Sequence, residues 1–161
     1  MEGLRITALM AATLSMGLVA GAFALYAHTV MPGLERTDDR TFVGAFQALD
    51  RAIINPWFMG GGFLGALLFT LLAAVAHLGR PALPWIVAAL VLYVITFVIT
   101  LVVNVPLNDA LKAAGDPGRI DVAAAREAFG EMRWRSWNLV RVVASTTAFG
   151  LLAWALTLSG K

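Results

Sequence analysis

The chain has 161 residues, 60% of them hydrophobic and 14% charged, well short of the roughly one quarter of charged residues with which a soluble domain covers its surface. It has no cysteine, which excludes disulfides, thiolate catalysis, zinc ribbons and iron–sulfur ligation. The net charge of +2 and pI near 9.5 come from residues flanking apolar runs, which speaks for membrane orientation and against a nucleic-acid partner.

Residues 6–34, 52–79, 81–108 and 142–160 contain no Asp, Glu, Lys or Arg. Each is long enough for a helix crossing a hydrocarbon core, which takes about 20 residues. Backbone amides in lipid must be satisfied within their own segment, so helices are expected. In chain order, the first span covers about 5–30. The small-residue sites in VAGAFALYA at 19–27 have the form of a signal-peptide cleavage site. The apolar run continues past them to Val30 and follows only the weakly charged start MEGLR, so the span is expected to be retained. A loop at 31–40 and a short amphipathic helix at about 40–50 come next.

The second span is expected at about 55–78, with Pro56 at a permitted first-turn position. Its small-residue run MGGGFLGALL at 59–68 allows close helix packing, within one chain or between copies in a homo-oligomer. The third span covers about 82–105, where Pro106 ends it in a kink or cap. After a loop at 106–120, the turn signal Gly115-Asp116-Pro117-Gly118 and the N-cap candidate Asp121 start a helix reaching about 158. That helix is expected to stand out of the bilayer for about four turns and to enter it near Arg141, with its span at about 140–158. The fold class is therefore all-α: a four-transmembrane-helix bundle in one domain, 1–161, with an amphipathic helix between spans 1 and 2 and a last helix extended beyond the membrane.

Arg5, Arg80 and Lys161 lie on one side of such a bundle. Arg36, Arg40, Arg51, Lys112, Arg119, Arg126, Arg133, Arg135 and Arg141 lie on the other. The excess orients a multi-pass protein of the cytoplasmic membrane, with both long loops in the cytoplasm and the termini outside.

Polar residues gather at the same face. His28 stands near the end of span 1, with Gln47, Arg51 and Asn55 around the start of span 2 and Trp57 just after it. Span 3 carries Thr96, Thr100, Asn104 and Asn108 four residues apart, and the last helix brings Trp134, Trp137, Asn138 and Arg141 at i, i+3, i+4 and i+7. Each set is one helical face. Tryptophan and arginine at a span's start also serve as interfacial anchors, and Asn and Thr stripes also join helices. Buried polar groups in spans usually face the bundle interior, so a polar pocket at the mouth is the sharper reading. His28 and His77 fall at opposite ends of the bundle, so neither a shared metal ion nor bis-histidine haem is expected. Glu127, Glu131 and Arg135 read as surface pairs on the last helix.

The stretches HTVMPGL at 28–34, FQALDRAIINPWF at 46–58, TLVVNVPLND at 100–109, REAF at 126–129 and RWRSWNLVR at 133–141, taken in order, resemble the DUF1772 family of small integral membrane proteins. That family includes the anthrone oxygenases of polyketide pathways. At Asp50 the chain departs from the resembling stretch, which carries Asn there, and no role is carried over to it.

The resemblance implies a cofactor-independent oxygenase of an anthrone-like or other hydrophobic phenolic substrate. Removing an acidic C–H proton gives an electron-rich anion that reacts with O2 to form a quinone. On that reading Trp57, Trp134 and Trp137 stack the rings, and Arg133, Arg141, Asn104, Asn108 and Asn138 hold the oxyanion. His28 is the candidate base, because its ordinary pKa lies near neutrality, and Gln47, Arg51 and Asn55 complete the substrate pocket. The other reading is a non-catalytic membrane protein that holds a lipid, quinone-like ligand or partner helix in the same pocket.

Overall fold

The computed structural model describes residues 2–159 and is all-helical within them. Lys161, counted above for orientation, lies outside the described residues. Helix α1 runs over Glu2–Glu35, α2 over Asp39–Ile53, α3 over Trp57–Ala76 and α4 over Leu83–Ala113. The last stretch divides into α5, Val122–Phe129, and α6, Glu131–Ser159. Four stretches are long and apolar enough to cross a membrane: α1, α3, α4 and the run Val122–Ser159.

The four long helices form one bundle. α1 packs along α3 and α6, α4 packs along α6, and α3 meets α4 over a shorter length. Small residues set the spacing. Ala12, Ala66, Ala73, Ala89, Ala148 and Ala155 are fully buried and let backbones approach, with Leu9, Met16, Ile86 and Leu152 filling the gaps. Leu14, Leu18, Leu68, Leu71, Val91 and Val98 are exposed on the outside, the surface that meets lipid. Within the glycine run, Gly62 and Gly65 face α1, where a Cβ on them meets Val19 and Ser15. Gly60 and Gly61 look into open space.

Two of the long helices outlast their expected ends, and both do so by passing a proline. A proline ring clashes with the carbonyl four residues earlier and donates no hydrogen bond, so an α-helix normally breaks there. Here α1 widens into a π turn over Tyr26–Val30, with Met31 N bonding Tyr26 O, and carries on through Pro32 to Glu35. α4 does the same over Thr100–Asn104, with Val105 N bonding Thr100 O, and carries on through Pro106 to Ala113. The expected loop starts at 31 and 106 are thus helical. α3 opens directly after Pro56 with a third π segment, Trp57–Leu64. Side chains from neighbouring helices bond two of its carbonyls: Tyr93 Oη donates to Phe63 O at 2.7 Å and Ser15 Oγ to Gly61 O at 2.7 Å.

A second, smaller core caps the bundle. α2 is amphipathic, and the carboxylate of Asp38 caps its start by accepting from Thr41 Oγ1 at 2.7 Å and Thr41 N at 3.0 Å, which holds that carboxyl below its usual range. Its apolar face puts Phe42, Val43 and Phe46 against Met31, Leu111, Phe129 and Trp134. The Phe46 ring lies 4.6 Å from Phe129 and 5.6 Å, edge-on, from Trp134. Gln47 ties α2 to the end of α4 by donating to Leu111 O at 2.8 Å and Gly115 O at 3.0 Å.

The extension of the last helix is not the straight rod that its sequence suggests. Asp121 caps α5 as expected, accepting from Ala124 N at 3.0 Å. Gly130 then adopts a left-handed conformation (φ 64°, ψ 57°), so α5 turns back over α2 and α4 before α6 begins. Arg126 fixes this corner: it pairs with Asp39 at 3.0 Å and Glu131 at 3.1 Å, with its guanidinium 4.1 Å above the Phe42 ring. A side chain at Gly130 forces an unfavourable φ, costing about 1–2 kcal/mol. Gly130→Ala is expected to lower the thermal unfolding midpoint in detergent. Gly21→Ala, within a helix and with no neighbouring side chain within 4 Å of the added Cβ, is expected to leave it unchanged or raise it slightly.

Candidate functional site

Between the two cores lies a cleft of about 200 Å³. Each of the three π segments contributes a wall: Tyr26 from α1, Phe58, Met59 and Phe63 from α3, and Thr100 and Leu101 from α4. π turns inside α-helices recur at functional sites because the widened turn re-aims side chains. Phe23, Phe46 and Trp134 make the remaining walls aromatic, so the lining suits a flat apolar ligand. The rim between α3 and α4 carries Ile54 and Leu101, both exposed.

The polar groups fall into two sets. The first surrounds Arg141, which is only 4% exposed. Its Nη2 donates to Asn138 Oδ1 at 2.8 Å and its Nη1 to Thr100 Oγ1 at 3.2 Å. Its guanidinium lies 4.2 Å from the Phe23 ring centroid and 5.5 Å from that of Trp134. Asn138 donates in turn to Phe23 O at 3.1 Å, joining α6 to α1. Nε of Arg141 is buried without a partner, and among the described residues no carboxylate pairs with the guanidinium. An uncompensated charge buried this way is costly. An anion in the adjoining cleft would supply the missing counter-charge.

The second set runs from Trp134 to the cleft's edge. Trp134 Nε1 donates to Asn108 Oδ1 at 2.7 Å, and Asn108 Nδ2 donates to Asp50 Oδ1 at 2.6 Å. Lys112 Nζ lies 2.6 Å from Asp50 Oδ2 and 2.9 Å from Asp109 Oδ1. Behind the wall, Asn104 Nδ2 reaches Trp134 O at 3.4 Å, and its Oδ1 is buried without a partner.

Of the residues singled out from sequence, Arg141, Asn108 and Trp134 line the cleft, and Asn138 and Asn104 stand directly behind it. Gln47 is buried in the cap contact described above. Asn55 caps α3, accepting from Phe58 N at 2.9 Å. His28 is exposed, with Nδ1 2.7 Å from Thr29 Oγ1, and does not line the cleft. Trp57 is 76% exposed, and Trp137, Arg133 and Arg51 also face outward. The geometry therefore places His28, Trp57 and Trp137 outside the cleft. Tyr26, Asp50 and Lys112 line the cleft without having been picked out. The one available signal was the polar position of Asp50 in an otherwise apolar face of α2, beside Phe42, Val43 and Phe46.

Residues 52–151 match the family model described as anthrone oxygenase. The match covers more than half of the chain and includes Asn104, Asn108, Trp134, Asn138 and Arg141, with Asp50 just outside it. Comparison with curated proteins and with solved structures found no match.

The two buried asparagines of the bundle differ in how well they are bonded, and this sets their worth. Asn138 uses both ends of its amide, whereas Asn104 makes one long bond. Asn138→Leu leaves Arg141 and the Phe23 carbonyl short of a partner and is expected to cost about 1–3 kcal/mol more than Asn104→Leu. Thermal unfolding of the two variants in detergent reads the difference.

Proposed function

The chain belongs to the anthrone oxygenase family, and we propose that it is a membrane-embedded, cofactor-independent oxygenase of an anthrone-like or other hydrophobic phenolic substrate. The observation that carries this reading is Arg141: a buried guanidinium without a carboxylate partner, set against an aromatic cleft.

In an anthrone, the methylene between two rings is acidified by the carbonyl across the central ring. Loss of a methylene proton leaves an enolate whose negative charge sits on that oxygen. A fixed cation in a dry site favours the enolate over the neutral ketone, because its donors need no reorganisation as charge develops. Arg141 is that cation, held in place by Asn138 and Thr100. The enolate gives electrons to O2, a C–O bond forms at the former methylene carbon, and loss of water leaves the second carbonyl. The net reaction is anthrone plus O2 to anthraquinone plus water, which balances without another reductant. Phe23, Phe46, Phe58, Phe63, Tyr26 and Trp134 hold the ring system and exclude bulk water.

The charge asymmetry supports a cytoplasmic-membrane orientation with the mouth and both long loops inside. The chain contains no cysteine, so single introduced thiols report sidedness cleanly. Arg80→Cys is expected to react with an impermeant maleimide in intact cells, and Arg36→Cys only after the membrane is opened. The reverse pattern would invert the orientation.

Turnover of a model anthrone by purified, chelator-treated protein in detergent tests the activity. Quinone formation is expected to require O2, to survive chelation, and to fall to the spontaneous rate in Arg141→Leu. His28→Ala is expected to turn over within about twofold of the parent, since a surface substitution away from the site carries little energy. Ligand binding with no rate above background would make the protein a non-catalytic binder of the same compounds.

A further inference from the structure

The oxygenase reading leaves one role unfilled once His28 is found on the outside: the group that takes the proton from the substrate. The geometry points to Asp50 as that acceptor, with Lys112 and Asp109 as its route to water. This inference rests on the reading above.

The cleft offers few other candidates. Arg141 carries donors only and accepts nothing. Tyr26 is a phenol and acts as a donor at neutral pH. Lys112 is engaged by two carboxylates as a cation. Asp109 has a side chain 61% exposed and stands at the rim. Asp50 alone combines a carboxylate with burial, its side chain being 9% exposed, and a place in the lining.

Its surroundings suit the task. Oδ1 accepts from Asn108, which Trp134 holds in turn, so the carboxylate plane is fixed from two helices. Oδ2 is buried against Lys112 Nζ, 2.6 Å away. A carboxylate oxygen has two lone pairs, so the Asp50 carboxylate, which lines the cleft, keeps acceptor capacity beyond these two contacts.

In the step itself, the methylene C–H bond breaks and the proton passes to the Asp50 carboxylate. The electron pair stays on the substrate as the enolate that faces Arg141. No electron leaves the substrate at this stage, so the step needs no O2. Lys112 then gives a proton to Asp109 and takes the one held by Asp50, so the net transfer is from Asp50 to Asp109. Asp109 releases it to water, and the carboxylate is restored for the next turnover.

Because the step precedes oxygen, it can be observed alone. The full chain in detergent is kept strictly anaerobic with anthrone deuterated at its methylene, and washout of deuterium into water is followed by NMR. Quenching of tryptophan fluorescence by anthrone measures binding in parallel. The parent protein is expected to accelerate washout above the spontaneous rate. Asp50→Asn, nearly isosteric and still able to accept from Asn108, is expected to bind anthrone within about threefold and to exchange at the spontaneous rate. Asp50→Glu displaces the carboxylate by one methylene and is expected to slow exchange by about 10²-fold with binding retained. If Asp50→Asn folds and exchanges at the parent rate, the assignment is overturned while the oxygenase reading stands. Should Asp50→Asn fail to fold, undiminished exchange by Asp50→Glu overturns it equally. If the parent itself binds anthrone but accelerates neither exchange nor oxygen-dependent turnover, the oxygenase reading fails and takes this inference with it.

Discussion

The mouth of this bundle is organised around the placement of one positive charge. Arg141 sits within a transmembrane helix, buried, with hydroxyl, amide and ring partners in place of a carboxylate. Each partner comes at a structural cost elsewhere. Asn138 must be fixed by the Phe23 carbonyl of α1, Thr100 must sit on the widened turn of α4, and Trp134 must be braced by Asn108. α1, α4 and α6 are thereby registered against one another by polar contacts. In lipid, polar bonds and close packing set such registers, because the hydrophobic effect does not distinguish a neighbouring helix from an acyl chain.

Width for the cleft is obtained within helices and not by inserting loops. An irregular backbone at this depth leaves unsatisfied amides unless it is covered by protein. The π turns beside Pro32 and Pro106 keep the helices continuous while relieving the proline clash, and the one after Pro56 has two carbonyls bonded by Ser15 and Tyr93. A cleft built this way sits on rigid elements.

The cap completes the enclosure. Without the corner at Gly130, α5 has no way to fold back on α2, and the apolar faces of Phe42, Phe46 and Phe129 lose their partner. The cap draws its ion pairs to its outer side, where Arg126 and Arg135 meet Glu35, Asp39 and Glu131. Asp39 and Glu35 are about half exposed there, so their pairs contribute little individually.

The four spans, the amphipathic α2, the N-cap at Asp121 and the gathering of polar residues at one face were legible in the sequence. Charge-free runs, the capping residue and the helical spacing of Asn104, Asn108, Asn138 and Arg141 are local properties that one chain segment displays by itself. The rotation of each helix about its own axis was not legible. α1, α3 and α4 are apolar on nearly every side within the membrane, so no apolar stripe marks which face meets a neighbour. The π turns shift the rotation again, and nothing in the composition of Tyr26–Val30 or Thr100–Asn104 distinguishes a π turn from an α turn before the proline that follows. His28, Trp57 and Trp137 consequently stand outside the cleft, while Tyr26 and Asp50 stand inside. The sequence by itself determined that polar chemistry sits at one end of a four-helix membrane bundle. Only the tertiary structure decided which side chains share the cleft, because that depends on rotation and on the corner at Gly130, both of which are set by contacts between distant segments.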